Sequence, residues 1–168
     1  LVSKDYPWNA SRRGTIAACE RSLERLGTGR IDLYLLHWRG DHPLADTVAA
    51  FEQLRRDGKI GHWGVSNFDR DDLDELLALP DGARCAVNQV YYNLAKRWPE
   101  ARLIERQRRA GIATMAYSPL DQGRLISHPL LKTIAGRRGA TAVQVALAWL
   151  LQFEDVMPIP KTSRINGV

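Results

Sequence analysis

Ile31 to Leu36 is a near-continuous apolar run, interrupted only by Asp32 and lacking two-residue alternation. A strand covered on both faces reads this way, and such strands belong to parallel sheets flanked by helices. The run stops at His37, and Trp38-Arg39-Gly40-Asp41 leads away as a loop. Ligands of parallel α/β proteins bind where strands end at their carboxyl edge. His37 therefore stands where chemistry is done, or else simply hydrogen-bonds a neighbouring loop; this stretch alone leaves both readings open.

The rest of the chain repeats that pattern. Leu1 to Lys4 reads as the tail of a strand ending on a lysine, followed by the loop Asp5-Tyr6-Pro7-Trp8-Asn9. Ser11 is a candidate N-cap for a helix carrying Ile16, Cys19, Leu23 and Leu26, which Gly27 and Gly29 stop. After the Ile31 strand, Pro43 to Asp46 opens a helix through Val48, Phe51 and Leu54, closed by Asp57-Gly58. His62 to Asn67 reads as a strand, Asp69 or Asp71 starts a helix running to Pro80, and Ala86 to Val90 is a strand. Tyr91 to Pro99 reads as an extended loop, Glu100 to Ala110 as an amphipathic helix, and Ile112 to Ala116 as a strand ending at Tyr117-Ser118-Pro119-Leu120. Gly123 falls in the next loop. His128 to Arg138 and Ala142 to Phe153 are helices, the second apolar on most sides and so expected to be well buried. Val156 to Pro160 is a last strand before Lys161-Thr162-Ser163-Arg164.

Strand and helix alternate without hairpin signals, so the sheet should be parallel. A closed (β/α)8 barrel needs eight strand–helix units and typically about 250 residues, whereas this reading gives six strands in 168 residues. An open doubly wound sheet fits the length, yet no G-x-G-x-x-G opens a helix and no G-x-x-x-x-G-K-[ST] is present. Periodicity leaves barrel and open sheet undecided.

Composition excludes other classes. The net charge of +5 arises from basic residues scattered among acidic ones. The densest patches, Arg106-Gln107-Arg108-Arg109 and Arg137-Arg138, fall on helices expected to face water, with no basic stripe interleaved with aromatics. Nucleic acid is therefore not an expected partner. Cys19 and Cys85 have no metal-ligand spacing, so buried free thiols in a reducing compartment are expected, and no metal site. No apolar run approaches the roughly 20 residues of a membrane span. Leu1 opens the sequence without Met and Lys4-Asp5 follows almost at once, so the start reads as cut.

The strand ends carry the chemistry. Lys4, His37, Ser66-Asn67, Gln89, Tyr117 and Lys161 to Arg164 all fall at carboxyl ends of successive predicted strands. The segments Leu-Tyr-Leu-Leu-His-Trp, Gly-Lys-Ile-Gly-His-Trp-Gly-Val-Ser-Asn-Phe, Val-Asn-Gln-Val-Tyr-Tyr-Asn, Ala-Tyr-Ser-Pro-Leu and Ile-Pro-Lys-Thr resemble the motifs of the aldo-keto reductase family, in that family's order, from Lys4 to Arg164. The resemblance implies a single (β/α)8 TIM-barrel domain over residues 1–168, with roughly strands 3 to 8 in hand, and NADPH extended across the carboxyl face. It implies an oxidoreductase that reduces aldehyde or ketone carbonyls, in a cytoplasmic, monomeric protein.

Carried over position by position, Lys4 would be the catalytic lysine that lowers the pKa of a proton-donating tyrosine, and His37 would orient the substrate carbonyl. Ser66, Asn67 and Gln89 would hold the nicotinamide carboxamide, and Tyr117 would stack on its ring. Ser118 and Leu120 would line the pyrophosphate path, while Lys161, Thr162 and Arg164 would grip the adenosine 2′-phosphate. Trp8 and Trp38, with Trp98, would line an apolar substrate cleft. The residue types suit these tasks. A carboxamide needs side-chain amides and hydroxyls, a flat aromatic holds a ring face, and a phosphate calls for Lys and Arg.

One departure stands out. The family's proton donor lies in a segment resembling Asp-x-Ala-x-x-Tyr-Gly, upstream of the lysine, and no such segment occurs in this sequence. Asp5-Tyr6 follows the lysine directly and is no substitute. The sequence therefore reads as a truncated reductase, the piece by itself being inactive. The alternative is a non-catalytic NADP(H)-binding barrel serving as a redox sensor or docking subunit. Lys4 and His37 argue for the enzyme. A carboxylate-based hydrolase would need acids at strand ends, whereas Asp32 lies inside its strand and Asp121 beyond a loop.

Overall fold

In the computed structural model, which describes residues 1–163, the apolar run forms strand β2, Ile31–Leu36. Only Asp32 is exposed along it, and Ile31, Tyr34, Leu35 and Leu36 are buried. The described residues divide into two compact units, the first comprising residues 1–89 and 109–112, the second residues 90–108 and those from 113 onward.

The first unit contains β1 (Val2–Asp5), α1 (Arg12–Leu26), β2, α2 (Leu44–Arg56), β3 (Ile60–Ser66) and α3 (Arg70–Leu77), together with the start of β4 (Val87–Tyr91). Local chemistry sets these limits. Ser11 Oγ accepts from the Gly14 N–H at 3.2 Å, and α1 ends where Gly27 turns left-handed at φ 61°. Asp69 and Asp72 form a reciprocal capping box at the start of α3. β1, β2, β3 and β4 pair in that order, all parallel, with Lys4 opposite Leu35, Leu36 opposite Val65 and Ser66 opposite Gln89. This register brings four strand ends to one edge.

The packing behind β2 and β3 is aromatic. Phe51 of α2 meets Tyr34 edge-on at 5.9 Å and stacks on Trp63 at 5.5 Å. Glu52, beside it, is 3% exposed. Its carboxylate accepts from Trp63 Nε1 at 2.8 Å and from Arg55 Nη2 at 2.9 Å, which ties α2 to the strand bearing Ser66. A buried carboxylate is tolerated because its lone pairs are filled, and these partners hold its pKa below the usual range despite desolvation.

The second unit contains α4 (Leu103–Arg109, less its last residue), β5 (Ala113–Tyr117), α5 (Pro129–Arg138), α6 (Ala142–Leu151) and β6 (Val156–Pro158). β5 and β6 pair in parallel, with Ala116 opposite Pro158. Pro129 opens α5, Gly139 closes it at φ 61°, and Thr141 with Gln144 forms a capping box on α6.

Several boundaries differ from the sequence reading. Lys4 lies one residue inside β1, and Tyr91 belongs to β4 rather than to the loop after it. The helix expected over 100–110 is a 3-10 turn, Trp98–Ala101, and then α4, because Arg102 at φ −152° breaks the helical path. The loop around Gly123 is a 3-10 segment, Asp121–Ser127, kinked by left-handed Gln122 and Gly123. α6 is less buried than its composition suggests. It buries the stripe Ala142, Ala146 and Leu150, while Leu151 is 64% exposed. One face at four-residue spacing is all that a helix packed on one side covers. No described helix is long and apolar enough to cross a membrane.

Candidate active site

In the first unit, the ends of β1, β2 and β3 and the middle of β4 bring together a group of polar residues. Lys4 is half-buried near the end of β1, and burial lowers its ammonium pKa below the ordinary lysine value. His37 follows β2 directly, and its main-chain N–H donates to the Asp5 carbonyl at 2.8 Å. Burial, and then the nearby Lys4 ammonium, lower the imidazole pKa. Both causes disfavour the charged ring, so His37 is a neutral donor or acceptor at neutral pH.

Ser66 closes β3, buried, with its hydroxyl donating to the Gln89 carbonyl at 2.9 Å. Asn67 takes left-handed backbone at φ 58°, a conformation asparagine adopts more readily than most residues. Its main-chain N–H donates to the Gln89 carbonyl at 2.8 Å, and its Nδ2 donates to the His37 carbonyl and to Ser66 Oγ, each at 3.1 Å. Ser66, Asn67, Gln89 and the His37 backbone thus form one hydrogen-bonded group. Side-chain amides and a hydroxyl are the donor and acceptor set a carboxamide requires.

Aromatic rings stand beside this group. Tyr6 stacks on Trp8 at 4.3 Å and on His37 at 5.2 Å, and Trp38 meets Trp8 edge-on at 5.9 Å. The structure therefore joins Trp8 and Trp38, and it adds Tyr6, which the sequence reading considered only as a poor stand-in for the proton donor. The signal was available: two aromatics flank Pro7 immediately past a strand end. Trp98 lies in the other unit, exposed on the 3-10 turn that follows Arg97.

In the second unit, Tyr117 closes β5, half-buried, and stacks on Tyr91 at 5.2 Å with ring planes 16° apart. Tyr91 Oη donates to Asp121 at 2.5 Å, and Arg124 approaches the same carboxylate at 3.6 Å. From sequence Tyr91 reads only as the start of a loop and Asp121 only as a poorly placed hydrolase acid, since a ring contact 26 positions apart leaves no local trace. Ser118 is left-handed at φ 49°, and its carbonyl accepts from Asn93 Nδ2 at 2.8 Å and from the Asp121 N–H at 2.9 Å. Leu120 packs against the buried cluster of Leu125, Leu131, Ala142 and Ala146. Lys161 and Thr162 are exposed after β6, and Arg164 lies outside the described residues. Among the described residues, no group of His, Cys, Asp and Glu side chains is arranged to hold a metal ion. Cys19 and Cys85 are buried free thiols.

The sequence model of the aldo/keto reductase family matches residues 2–168. Among curated relatives, methylglyoxal reductase YeaE of Escherichia coli (strain K12) is 48% identical, over 100% of this chain and 61% of its own length. Glyoxal reductase of Bacillus subtilis (strain 168) is 41% identical, over 100% of this chain and 59% of its own. Among solved structures, an aldo/keto reductase from Klebsiella pneumoniae, in complex with NADP and acetate, superposes with a TM-score of 0.96 at 46% identity, over 99% of this chain and 61% of that one. The thermostable aldo-keto reductase Tm1743, solved with the inhibitor epalrestat, gives a TM-score of 0.90 at 38% identity. The chain thus spans about three-fifths of the length of these relatives, and its strand–helix order is that of their (β/α)8 barrels. With a match across nearly its whole length, this chain belongs to the aldo/keto reductase family.

Proposed function

We propose that the protein carrying this chain is an NADPH-dependent reductase of aldehyde or ketone carbonyls. The observation that carries the reading is the convergence, on four adjacent parallel strands at the level where β3 ends, of a half-buried lysine, a neutral histidine and a hydrogen-bonded group of Ser66, Asn67 and Gln89. The names of the relatives, methylglyoxal reductase and glyoxal reductase, make small oxoaldehydes the first substrates to try. The unbroken family match over residues 2–168 supports reading the chain as part of one barrel domain.

The residue types fit the cofactor. In the first unit Ser66, Asn67 and Gln89 would hold the carboxamide; by the family resemblance Tyr117 would support the ring, Ser118 and Leu120 would flank the pyrophosphate, and Lys161, Thr162 and Arg164 would meet the 2′-phosphate. When bound, NADPH supplies the hydride. The substrate carbonyl oxygen then gains negative charge that must be met by hydrogen bonding and a proton. His37 donates a hydrogen bond to that oxygen from its neutral imidazole. The Lys4 ammonium favours the ionised form of an adjacent phenol, which makes a phenol of ordinary pKa near 10 a better acid. By the family pattern that phenol would come from a segment upstream of Lys4, which is not among residues 1–168. The rings of Tyr6, Trp8 and Trp38 form the apolar wall against which the substrate rests.

The test is reduction of methylglyoxal by the full-length protein, with NADPH affinity measured separately by fluorescence. Lys4→Met should abolish nearly all turnover while leaving NADPH binding close to unchanged. His37→Ala should depress turnover by roughly 10²- to 10⁴-fold. A Lys4→Met variant that keeps most of its rate refutes the assignment.

A further inference from the structure

Asp5 is a buried acid that the proposed reaction leaves unused. It ends β1, is 1% exposed, and sits between Lys4 and Tyr6 in the chain. Strand alternation sends its side chain to the face opposite that of Lys4. Its Oδ1 accepts from Asn9 Nδ2 at 3.1 Å. Its Oδ2 and the Tyr34 hydroxyl oxygen are, among the described residues, the buried side-chain polar atoms without a hydrogen-bond partner. Desolvation raises the carboxyl pKa. An apolar side chain would fill this place without such a penalty, and the Thr15 hydroxyl and the Tyr6 main chain also oppose the desolvation, so an acid kept here and bonded to Asn9 calls for a reason.

The reason lies at the other end of that bond. Asn9 closes the 3-10 turn Pro7–Asn9, which carries Trp8 and, just before it, Tyr6. Packing holds this turn from outside. Asn9 O accepts from Thr15 Oγ1 at 3.4 Å, Ala10 O accepts from Thr47 Oγ1 at 2.7 Å, and a Cβ on Gly40 would lie 2.5 Å from Pro7 Cβ. Asp5 supplies the side-chain tie back to the strand bearing Lys4, and its main-chain carbonyl also receives the His37 N–H. One residue is thereby joined both to the ring-bearing turn and to His37.

We infer that Asp5 is a positioning residue: through Asn9 it sets the Tyr6–Trp8 ring stack beside His37, and with it how well the site takes planar aromatic carbonyls relative to small aliphatic ones. This rests on the reading of His37 as substrate-facing. The stack is suited to the task, since Tyr6 is 45% and Trp8 64% exposed, leaving ring surface on which a flat substrate can extend the pile. A three-carbon oxoaldehyde covers little of that surface and should be indifferent to its placement.

The test compares benzaldehyde with methylglyoxal in the full-length protein with NADPH, for the wild type, Asn9→Ala, Asp5→Leu and Asp5→Asn. Asn9→Ala and Asp5→Leu should raise KM for benzaldehyde about tenfold, the scale of one lost hydrogen bond to a charged group, with kcat and the methylglyoxal parameters little changed. Asp5→Asn still accepts through its amide oxygen and should stay near wild type. The near-ultraviolet circular dichroism of the stacked rings should weaken in Asn9→Ala and persist in Asp5→Asn. An unchanged benzaldehyde-to-methylglyoxal ratio in Asn9→Ala, or an equal loss on both substrates, overturns the inference. Asn9→Ala decides the matter if Asp5→Leu does not fold. A wild type that reduces neither aldehyde refutes the proposed function instead, and the dichroism then decides the anchor alone: an unaltered ring signal in Asn9→Ala overturns it.

Discussion

Replacing Glu52 by alanine tests how α2 is fastened to the strand that ends in Ser66. The Glu52 side chain is 4% exposed and accepts from Trp63 Nε1 at 2.8 Å and from Arg55 Nη2 at 2.9 Å. Alanine leaves the indole N–H of a residue only 1% exposed without a partner, which costs about 1–3 kcal/mol. It also opens space between α2 and β3, which adds to that cost; the ion pair itself adds little, because the Arg55 side chain is 35% exposed. Glu52→Gln keeps an acceptor for Trp63 and loses only the charge, so it should cost about 1–2 kcal/mol. The carboxyl pKa is held below its usual range in the fold, so the unfolded chain binds the proton more readily. The stabilisation is therefore fully present above the unfolded glutamate pKa of about 4.3, and is lost as pH falls through the lower folded value. Urea unfolding of the full-length protein at several pH values measures both effects. A Glu52→Ala loss below about 1 kcal/mol at neutral pH, less than the unpaired indole alone should cost, would refute this reasoning.

Other expectations follow from single contacts. The His37 ring should titrate below the ordinary histidine value of about 6.5, and Lys4→Met should raise its midpoint, because the ammonium is the second cause of the depression after burial; NMR titration of the ring reads this directly. The corresponding stability is present above the ordinary histidine range and is lost as pH falls toward and through the lowered value. Gly64→Ala places a Cβ against the Val87 carbonyl and side chain across the β3–β4 pair, so it should destabilise by about 1–3 kcal/mol through overpacking, measurable as a drop in Tm. Lys161→Ala should weaken NADPH binding while leaving NADH binding nearly unchanged, since only the former carries the 2′-phosphate; equal effects on both cofactors in fluorescence titrations would remove Lys161 from the phosphate site.

Much of the fold and part of the site are written in short stretches of chain. The β2 run, the Ser11 and Asp69 caps and the Gly27 stop each depend on a few neighbouring residues, and the structure places them where the spacing predicts; the Thr141–Gln144 box is equally local, though the sequence reading passed over it. Where a strand stops is also local, which is why His37, Ser66 and Tyr117 were legible as strand-end residues; Gln89, expected there too, lies two residues inside β4 and reaches the level of Ser66 only through the register. The family motifs were legible for the same reason, since each is contiguous. What was not legible depends on partners far apart in sequence. Glu52 has the spacing of an ordinary helix residue, and only Trp63 and Arg55 make its burial tolerable. Asp5 looks like the first residue of a loop, yet it is buried and bound to Asn9. Tyr6 gains its place beside His37 from the turn that follows β1, and Lys4 acts on His37 only because parallel register brings the ends of β1 and β2 to one edge. α6 is apolar on several sides, and tertiary packing alone selects Ala142, Ala146 and Leu150 as its buried stripe. Periodicity and capping are short-range and declare themselves in sequence; register, ring stacking and the burial of charge are settled only when distant segments meet and satisfy one another's polar groups.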